Sequence, residues 1–437
     1  LLHNQQDRLL SLVNDISTLD EVNDSVREIT QILYNSAFEV FGRSVLINEN
    51  ENNIRKNNEW FDEKCANERE NFHKFRNTFL RHPTDINRKF YISSRNSFNK
   101  AKRQARARFK RRKGIELCAT AKTDPKQFWS TIKPKTKSRC VVDNDVLFNH
   151  FETILGDSPP DICNEVLDLL NNIQISESHV DFLDSEITDE EVIKAIHKLK
   201  SGKSAGNDSI IGEMFSAGPL FFAPILKTLF NNVFENGIFH ELWTKGLVIA
   251  VPKSGDLTDP NNYRPIILVS VLSKLFTSIL TSRLLAWSED EEKLIDNQFG
   301  FRPGRSTIDA IFVIHGIITH VLQHKMKLFC TFVDFRKAFD KLSRRILLYK
   351  LLQNGVSSKF VNMIKSIYSS VQLRVRSGGL LSDAINNLLG VKQGDPLSPL
   401  LFLFFINDII EDMSVNASDN VLQLNGFLIK QIILNSF

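Results

Sequence analysis

The sequence predicts an α/β fold that follows a helical N-terminal region. Residues 1–150 are polar and charged with scattered aromatic side chains, which is typical of helices, whereas strands and helices interleave after residue 246. The apolar run GLVIAVPK, residues 246–253, predicts a strand that ends at Pro252. With 437 residues, of which 42% are hydrophobic, the chain can form two or three domains with a sizeable core.

Four helices of the α/β region can be placed from the residues at their ends. One begins after Thr188 with acidic residues and ends with basic ones, as the helix dipole favours. A second is capped by Ser306, a third follows Ser343 and stops at Asn354-Gly355, and a fourth begins at Ser398-Pro399, where proline is tolerated. One face of the second helix carries Ile308, Ile311, Phe312, His315 and Leu322. Turn-rich segments at 133–138 and 156–160 predict a domain boundary.

The net charge of +4 is unevenly distributed along the chain. Residues 88–113 contain twelve Lys or Arg and no Asp or Glu, which favours a polyanionic partner such as nucleic acid. The candidate contact residues are Lys102, Arg103, Arg106 and Arg108. A basic helix that is merely solvated is the alternative interpretation of this segment.

The five cysteines are far apart and form no C-x-x-C pair, so the sequence indicates neither a disulfide framework nor a zinc module. A reducing compartment is therefore expected. The longest apolar run, 400–406, is far shorter than the roughly 20 residues that span a bilayer, and the N-terminus has no signal-peptide pattern. These features predict an intracellular protein of the nucleus or cytoplasm, without a membrane partner and not secreted.

The segment TFVDFRKAFDKL, residues 331–342, sets a carboxylate after a short apolar run. Residues 330–333 are apolar or β-branched, so Asp334 is expected where a strand ends. Carboxylates at such positions commonly bind Mg²⁺, because this ion prefers oxygen ligands and the nearby main chain can hold phosphate oxygens. Taken alone, however, an Asp334 and Asp340 pair is more often two turn-capping carboxylates.

Two further segments could hold a ligand. GVKQGDPLSPLLFLFFIND, residues 390–408, predicts a rigid polar loop on a buried helix that could hold a flat or anionic group, although an ordinary helix-entry loop has the same pattern. In VPKSGDLTDPNNYRPI, residues 251–266, Lys253 and Arg264 flank a hairpin-like loop and could reach a triphosphate. Alone, this pair is more often two solvated charges.

Two other candidate motifs are rejected. SGKSAGNDSI resembles a P-loop, but His197 stands where the motif needs glycine, and the segment follows a helix instead of a strand. His320 and His324 lie one helical turn apart but have no acidic partner in a zinc-enzyme pattern. We interpret both histidines as solvated or core residues.

The order of five segments is more specific than any one of them. KLKSGKSAGNDSI, VPKSGD with NNYRPI, NQFGFRPGRSTIDA, FVDFRKAFD and GVKQGDPLSPLLF together resemble the successive blocks of a reverse transcriptase from a non-LTR (LINE-type) retrotransposon. The resemblance covers residues 185–410. It implies a right-hand polymerase with fingers and a partial α+β palm at 185–437 and a core at 246–437, and residues 1–150 are similar to the basic linker that precedes the polymerase in these elements.

The resemblance also implies roles for individual residues. Asp334 would be a catalytic, metal-binding aspartate, with the Phe335 carbonyl as a further metal ligand. Two Mg²⁺ ions would be the cofactors, and RNA template, DNA primer and dNTPs the partners. Asp340 is interpreted as a turn carboxylate. The remaining implied contacts are Lys253, Arg264, Lys337, Ala338, Phe339 as the sugar gate, Gln393 and Gly394 for the nucleotide, and Arg302 and Arg305 for nucleic-acid backbone.

The sequence departs from the family pattern near its end. The family places an Ala-Asp-Asp turn shortly after LNGFLIK, but the residues after Lys430 are QIILNSF. We therefore expect a fragment that stops before this motif and before the thumb, with doubtful polymerase activity of its own. A non-catalytic nucleic-acid-binding remnant of a retroelement is the alternative function.

Overall fold

The computed structural model describes residues 6–14, 18–42, 59–132, 142–156, 178–253, 255–330, 332–335, 337–377, 379–409, 422–424 and 427–429. The chain divides into two compact units. We call residues 44–139 the hairpin unit, and residues 1–43 with 140–437 the sheet unit.

Helices account for most of the described secondary structure. In chain order they are α1 (Gln6–Ser11), α2 (Leu19–Phe41), α3 (Glu63–Arg81), α4 (Asp85–Thr123), α5 (Pro125–Ile132), α6 (Asn144–Leu155), α7 (Asp181–Asp184), α8 (Asp189–His197), α9 (Gly212–Ser216), α10 (Pro219–Asn236), α11 (Glu241–Thr244), α12 (Val271–Asp290), α13 (Thr307–Gln323), α14 (Arg344–Gln353), α15 (Ser358–Tyr368) and α16 (Ser398–Ile406). The strands are β1 (Lys245–Pro252), β2 (Tyr263–Leu268), β3 (Gln372–Ser377), β4 (Leu380–Asn386), β5 (Leu422–Leu424) and β6 (Phe427–Ile429).

The main sheet is mixed and has the strand order β2-β1-β3-β4. Strand β1 pairs antiparallel with β2 and parallel with β3, while β3 and β4 are antiparallel neighbours. Val251 lies opposite Arg264, so the loop between β1 and β2 is the predicted hairpin. The α/β class is confirmed, and the strand predicted over GLVIAVPK forms as β1.

The core of the sheet unit is apolar and rich in aromatic side chains. Phe230 of α10 and Phe276 of α12 are fully buried, with ring centroids 5.3 Å apart. Trp243 lies 6.2 Å from both rings and joins these helices to the start of β1. Burying aromatic side chains of this size contributes a large part of the hydrophobic stabilisation.

Helices α1 and α2 belong to the sheet unit. Their Leu9, Val26 and Leu33 side chains are buried in the main core, and Arg27 forms an ion pair with Glu241 at 2.8 Å. The sequence grouped residues 1–150 into one region, whereas the contacts place α1, α2 and α6 with the sheet. Composition did not separate these helices from α3–α5, because both groups are polar on their outer faces.

The hairpin unit consists of α3, α4 and α5. Phe79 stacks on Tyr91 and Phe72 on Phe98, with centroids 5.8 Å apart in each pair, so α3 and α4 run antiparallel. Ala105 is buried between the two helices and allows them to approach closely. The predicted boundary segment 133–138 and residues 157–160 lie outside the described part of the chain.

The predicted helix ends in the sheet unit are confirmed. Thr188 and Ser306 each form a capping box, the first with Glu191 and the second with Asp309. Helix α14 follows Ser343 and ends with Asn354 as its C-terminal cap, and α16 begins at Ser398 with proline in its first turn. Such ends are set by hydrogen bonds between residues close in sequence, which makes them readable from the sequence.

The apolar face of α13 is exposed. Ile308 is 75% and Phe312 76% accessible, and Ile311 and Leu322 are also exposed. Among the residues that the structure describes, no element covers this face. In that same part of the chain, no helix combines the length and apolar character needed to cross a bilayer.

Candidate active site

The segment that contains Asp334 is not a strand. Phe332 and Val333 are 83% and 71% exposed, and residues 332–335 form no ladder with any described strand. The prediction of a strand over 330–333 is therefore wrong for its described residues. An apolar β-prone run becomes a strand only beside a neighbour that accepts its backbone hydrogen bonds, and β1–β4 pair with one another instead. Asp334 is exposed on this extended segment.

A tight turn follows Asp334. Lys337 has a φ of 54°, in the left-handed region, and its carbonyl accepts hydrogen bonds from the N–H groups of Asp340 at 2.9 Å and Lys341 at 3.0 Å. None of the described residues accepts a hydrogen bond from the backbone N–H of Lys337 or Ala338. The turn thus presents two main-chain donors of the kind that bind phosphate oxygens.

Phe339 is held between two other aromatic rings. It stacks on Phe402 of α16 with centroids 5.0 Å apart and meets Phe301 edge-to-face at 6.0 Å. The ring is half-buried, so part of it stays accessible. The residue predicted as a sugar gate therefore packs against the buried helix α16.

The turn 337–342 is docked against the loop 390–394. Val391 N–H donates to the Phe339 carbonyl and Gly390 N–H to the Leu342 carbonyl, each at 2.8 Å. Gly390 has a φ of 71°, and a Cβ there would lie 2.4 Å from the Phe339 oxygen. Only glycine allows the two segments to approach this closely.

The same loop is docked against β2 on its other side. Ile267 N–H donates to the Gln393 carbonyl at 2.8 Å, and a Cβ on Gly394 would lie 2.4 Å from the Ile267 oxygen. The Gln393 side chain donates through Nε2 to Oδ1 of Asp340, also at 2.8 Å. The structure therefore brings Gln393 and Gly394 together with the turn that follows Asp334.

Arg344 supports this arrangement from α14. Its guanidinium donates to the carbonyls of Gly390 at 2.8 Å, Asn387 at 2.7 Å, Leu389 at 2.9 Å and Tyr368 at 3.1 Å, and to the Asn387 side chain. Burial lowers the pKa of Arg344 to about 10, so it remains charged at neutral pH. Arg344 thus donates hydrogen bonds to three carbonyls of residues 387–390, the segment that enters the loop.

Two titratable side chains, one in the loop and one directly after it, are buried. Lys392 is only 1% exposed and its Nζ lies 3.4 Å from the Trp243 carbonyl; burial lowers its pKa to about 8. Asp395 is 4% exposed and accepts from the Leu397 N–H at 2.9 Å, while burial raises the pKa of its carboxyl. We infer that these charges fix the loop on its helix, because each is too buried to reach a ligand directly.

The lysines of the site converge on Asp340. Burial raises the pKa of Asp340 to about 6, while its bond with Gln393 and the positive charges of Lys337, Lys253 and Lys341 act in the opposite direction. Lys253 also donates through Nζ to the Asn261 carbonyl at 3.0 Å. The positive charges of Lys253 and Lys337 thus both act on the Asp340 carboxyl. Arg264 is exposed on β2.

The two arginines predicted to meet nucleic acid differ in their surroundings. Arg302 is 7% exposed; it forms a bidentate ion pair with Glu289 and donates to the Ile295 carbonyl at 2.7 Å. Its donors are thus engaged within the protein. Arg305 pairs with Asp296 at 2.7 Å and keeps 28% of its side chain accessible. Of the two, only Arg305 is placed to approach a phosphate.

The four basic candidates of α4 are in the hairpin unit and make contacts within it. Lys102 lies over the Phe98 ring at 4.4 Å, Arg106 over the Trp60 ring at 4.3 Å, and Arg108 pairs with Asp62 at 2.6 Å. Arg103, Arg106 and Arg108 are exposed, and Lys102 is half-buried. Three of the four cations thus make contacts within the unit, and three of the four are exposed.

The metal-ligand set predicted at Asp334 is incomplete in the described residues. Asp334 and the Phe335 carbonyl are oxygen donors of the type that Mg²⁺ prefers. Within the described ranges, however, no group of three or more His, Cys, Asp or Glu residues could hold a metal ion. The position expected for an Ala-Asp-Asp turn, after Lys430, lies outside the described residues.

Sequence reasoning missed part of the support for this site. Asp340 was interpreted as a turn carboxylate, and Arg344, Lys392 and Asp395 were not singled out. The only sequence signal was charge within an otherwise apolar or glycine-rich context at 390–395. That signal does not distinguish a buried charge from a solvated one, since burial depends on which elements meet in the fold.

Comparisons with known proteins find relatives for the segment that contains this site. Residues 251–427 match the family model described as reverse transcriptase (RNA-dependent DNA polymerase). The chain is 30% identical over 224 residues to a probable RNA-directed DNA polymerase from transposon BS of Drosophila melanogaster, covering 50% of this chain and 24% of that protein.

Two other relatives are also proteins of mobile elements. The RNA-directed DNA polymerase from mobile element jockey of Drosophila melanogaster is 27% identical, over 60% of this chain and 28% of its own length. A retrovirus-related Pol polyprotein from type-1 retrotransposable element R2 of Popillia japonica is 32% identical, over 38% of this chain and 23% of its own length. The chain thus spans about a quarter of these relatives. Over residues 251–427 the chain is thus similar to the reverse transcriptase family, and its relatives are polymerases and Pol polyproteins of mobile elements.

Proposed function

We propose that the sheet unit is the fingers and partial palm of an RNA-directed DNA polymerase, which transfers a deoxynucleotide to a DNA primer on an RNA template. The observation that carries this proposal is the docking of turn 337–342 against loop 390–394, with Lys253 acting on the same turn. The names of the relatives support the reaction. The hairpin unit would be part of the linker that precedes the polymerase.

The proposed roles follow from the positions of the residues. The N–H groups of Lys337 and Ala338, with Lys253 and Arg264, would bind the triphosphate, and Phe339 would lie beneath the sugar. Gln393 and Gly394 would line the nucleotide and template pocket. Asp334 and the Phe335 carbonyl would hold Mg²⁺; two such ions, when bound, would activate the primer hydroxyl and stabilise the leaving pyrophosphate.

Residues 1–437 alone are expected to bind dNTP in the presence of Mg²⁺ but to give no measurable primer extension. Two metal ions need several carboxylates, and no group of three or more His, Cys, Asp or Glu among the described residues could hold a metal; Asp334 is the one carboxylate that we assign to Mg²⁺. Fluorescent-nucleotide titration and extension of a labelled primer on an RNA template measure the two steps. Asp334→Asn should weaken Mg²⁺-dependent nucleotide binding by about 10-fold, which corresponds to about 1.4 kcal/mol.

Asp383→Asn is the matched control, because it removes an exposed carboxylate from β4. Equal loss of nucleotide binding in both variants would contradict the role of Asp334. Asp334-dependent primer extension by residues 1–437 would show that our count of the carboxylates is wrong.

The second candidate function is nucleic-acid binding by α4. It is favoured by the exposure of Arg103, Arg106 and Arg108 on a helix with twelve basic residues between 88 and 113. When binding releases counterions, the logarithm of the binding constant falls linearly with the logarithm of the salt concentration. The slope is about −0.7 to −0.9 per phosphate neutralised. This function is compatible with the first.

Replacing Lys102, Arg103, Arg106 and Arg108 by glutamine should flatten that slope by up to about 3. The measurement is the dissociation constant for a labelled RNA–DNA duplex at several salt concentrations. The control replaces Lys64, Lys74, Arg76 and Arg81 of α3 by glutamine, which removes the same number of charges from the same unit. If the α3 variant flattens the slope as much, general charge and not this surface of α4 causes the binding.

A further inference from the structure

A side-chain hydrogen bond between Asp340 and Gln393 joins turn 337–342 to loop 390–394. Oδ1 of Asp340 accepts from Nε2 of Gln393 at 2.8 Å, although the residues are 53 positions apart. Asp340 is 6% exposed. A carboxylate that only closed its own turn would bond to groups within that turn, whereas Asp340 bonds to a residue of a separate loop.

The main chains at both ends of this bond are fixed. The Asp340 N–H donates to the Lys337 carbonyl at 2.9 Å, and the Gln393 carbonyl accepts from Ile267 at 2.8 Å. Two further backbone bonds hold the turn and the loop together through Gly390 and Val391. With both main chains fixed, the Gln393 side chain can still rotate. Its hydrogen bond to Asp340 restricts that rotation.

The chemistry of the two groups defines the orientation of the amide. An ionised carboxylate has no proton to donate, so it can bind only the NH₂ side of a carboxamide. The planar amide of Gln393 must then turn its Oε1 away from Asp340. Without this partner, the oxygen and the nitrogen of the amide could exchange places, since they have the same shape.

We propose that Asp340 is a positioning residue which orients the Gln393 amide, so that Oε1 of Gln393 is the acceptor offered to a donor group of the nucleotide. The proposal rests on the proposed function, because Gln393 is placed there in the nucleotide and template pocket. It assigns to Asp340 a role in recognition that a turn carboxylate would not have.

Titration of Asp340 provides an independent readout. The charged groups acting on it are Lys337, Lys253 and Lys341, and its pKa lies at about 6. Above that pH the carboxylate accepts from Nε2; below it, the protonated acid can donate to Oε1 and the amide is free to turn over. The Gln393 amide should therefore report a pH step with a midpoint near 6.

The experiment uses the full chain with ¹⁵N-labelled glutamine and follows the side-chain NH₂ signals by NMR. The Gln393 pair is assigned by its absence in Gln393→Leu. In the parent protein, we expect the chemical shifts of this pair to differ from those of exposed glutamines. They should also change with pH in a step with a midpoint near 6. In Asp340→Ala it should move to the position of an exposed glutamine, and the step should disappear.

The matched control is Asp184→Asn. Asp184 is likewise buried and accepts a side-chain hydrogen bond, from Ser357 at 2.5 Å. The Asp184→Asn variant should leave the Gln393 signals unchanged. If Asp340→Ala does not fold, Asp340→Asn replaces it: this variant keeps an acceptor but cannot titrate, so the pH step must vanish. Unchanged Gln393 signals in the Asp340 variants, or an equal change in Asp184→Asn, would overturn the proposal.

A binding measurement separates this proposal from the proposed function. With an RNA–DNA template–primer present, Asp340→Ala should weaken dNTP binding by about 10-fold, the usual loss for one charge-assisted contact. Binding of the template–primer itself should be unchanged. If the parent protein binds no dNTP, the proposed function fails, while the NMR signals still decide whether Asp340 orients Gln393.

Discussion

Replacing Arg344 by methionine is expected to destabilise the sheet unit by about 3 to 5 kcal/mol. The guanidinium donates to four carbonyls and to the Asn387 side chain, and methionine keeps the length of the side chain without any donor. The acceptors left buried would lose their partners, which costs more than the bonds themselves contribute. Urea denaturation measures the loss as a lower midpoint at an unchanged slope.

Arg345→Met is the control for Arg344→Met. Arg345 is the next residue of α14 and is exposed, so its replacement should change the free energy of unfolding by no more than about 0.5 kcal/mol. Hydrogen exchange should also show faster exchange at 387–391 in the Arg344 variant alone. Equal stability of the two variants would mean that Arg344 does not hold this segment.

Gly390→Ala is expected to cost about 3 kcal/mol or more, because two separate penalties add. A φ of 71° is unfavourable for alanine, and its Cβ would lie 2.4 Å from the Phe339 carbonyl and 2.6 Å from that of Asp340. Since both neighbours are backbone, the loop must move away from the turn. The bonds of Val391 and Gly390 to the turn would then break.

Gly355→Ala separates the two penalties. Gly355 has a φ of 87°, but nothing lies within 4 Å of a Cβ built there. It should therefore lose only the conformational part, about 1 kcal/mol. The free energies of unfolding of the two variants give the comparison. Equal losses would show that the close approach of loop and turn contributes nothing.

Much of the fold could be predicted from local patterns. The caps at Thr188 and Ser306, the end of α14 at Asn354 and the strand β1 each depend on residues within a few positions of one another. The strands β3 and β4 were not predicted; β3 pairs with β1, which lies more than 100 positions earlier in the chain, and β4 pairs only with β3. Assigning α1 and α2 to the sheet unit also required the tertiary contacts.

In the candidate site, too, some features were predicted from the sequence and others were not. The family resemblance implied a nucleotide site at Lys253, Lys337, Phe339 and Gln393. In the structure, Lys337 and Phe339 lie on the turn, Gln393 lies on the loop docked against it, and the charge of Lys253 acts on Asp340 of the turn. The strand expected before Asp334 is absent from the described residues, because a strand also needs a neighbour. The engagement of Arg302 with Glu289 could not be read from the sequence, since an exposed and a buried arginine have the same local pattern.

By itself, the sequence determined the α/β class, the main helix ends and the relationship to reverse transcriptases, because each depends on residue types in a fixed order along the chain. The tertiary structure alone decided which charges are buried. Lys392, Asp395 and Arg344 became supports of the loop, and Asp340 became the partner of Gln393. The physical reason is that the energy of a charge depends on its surroundings, and those are set by residues distant in sequence.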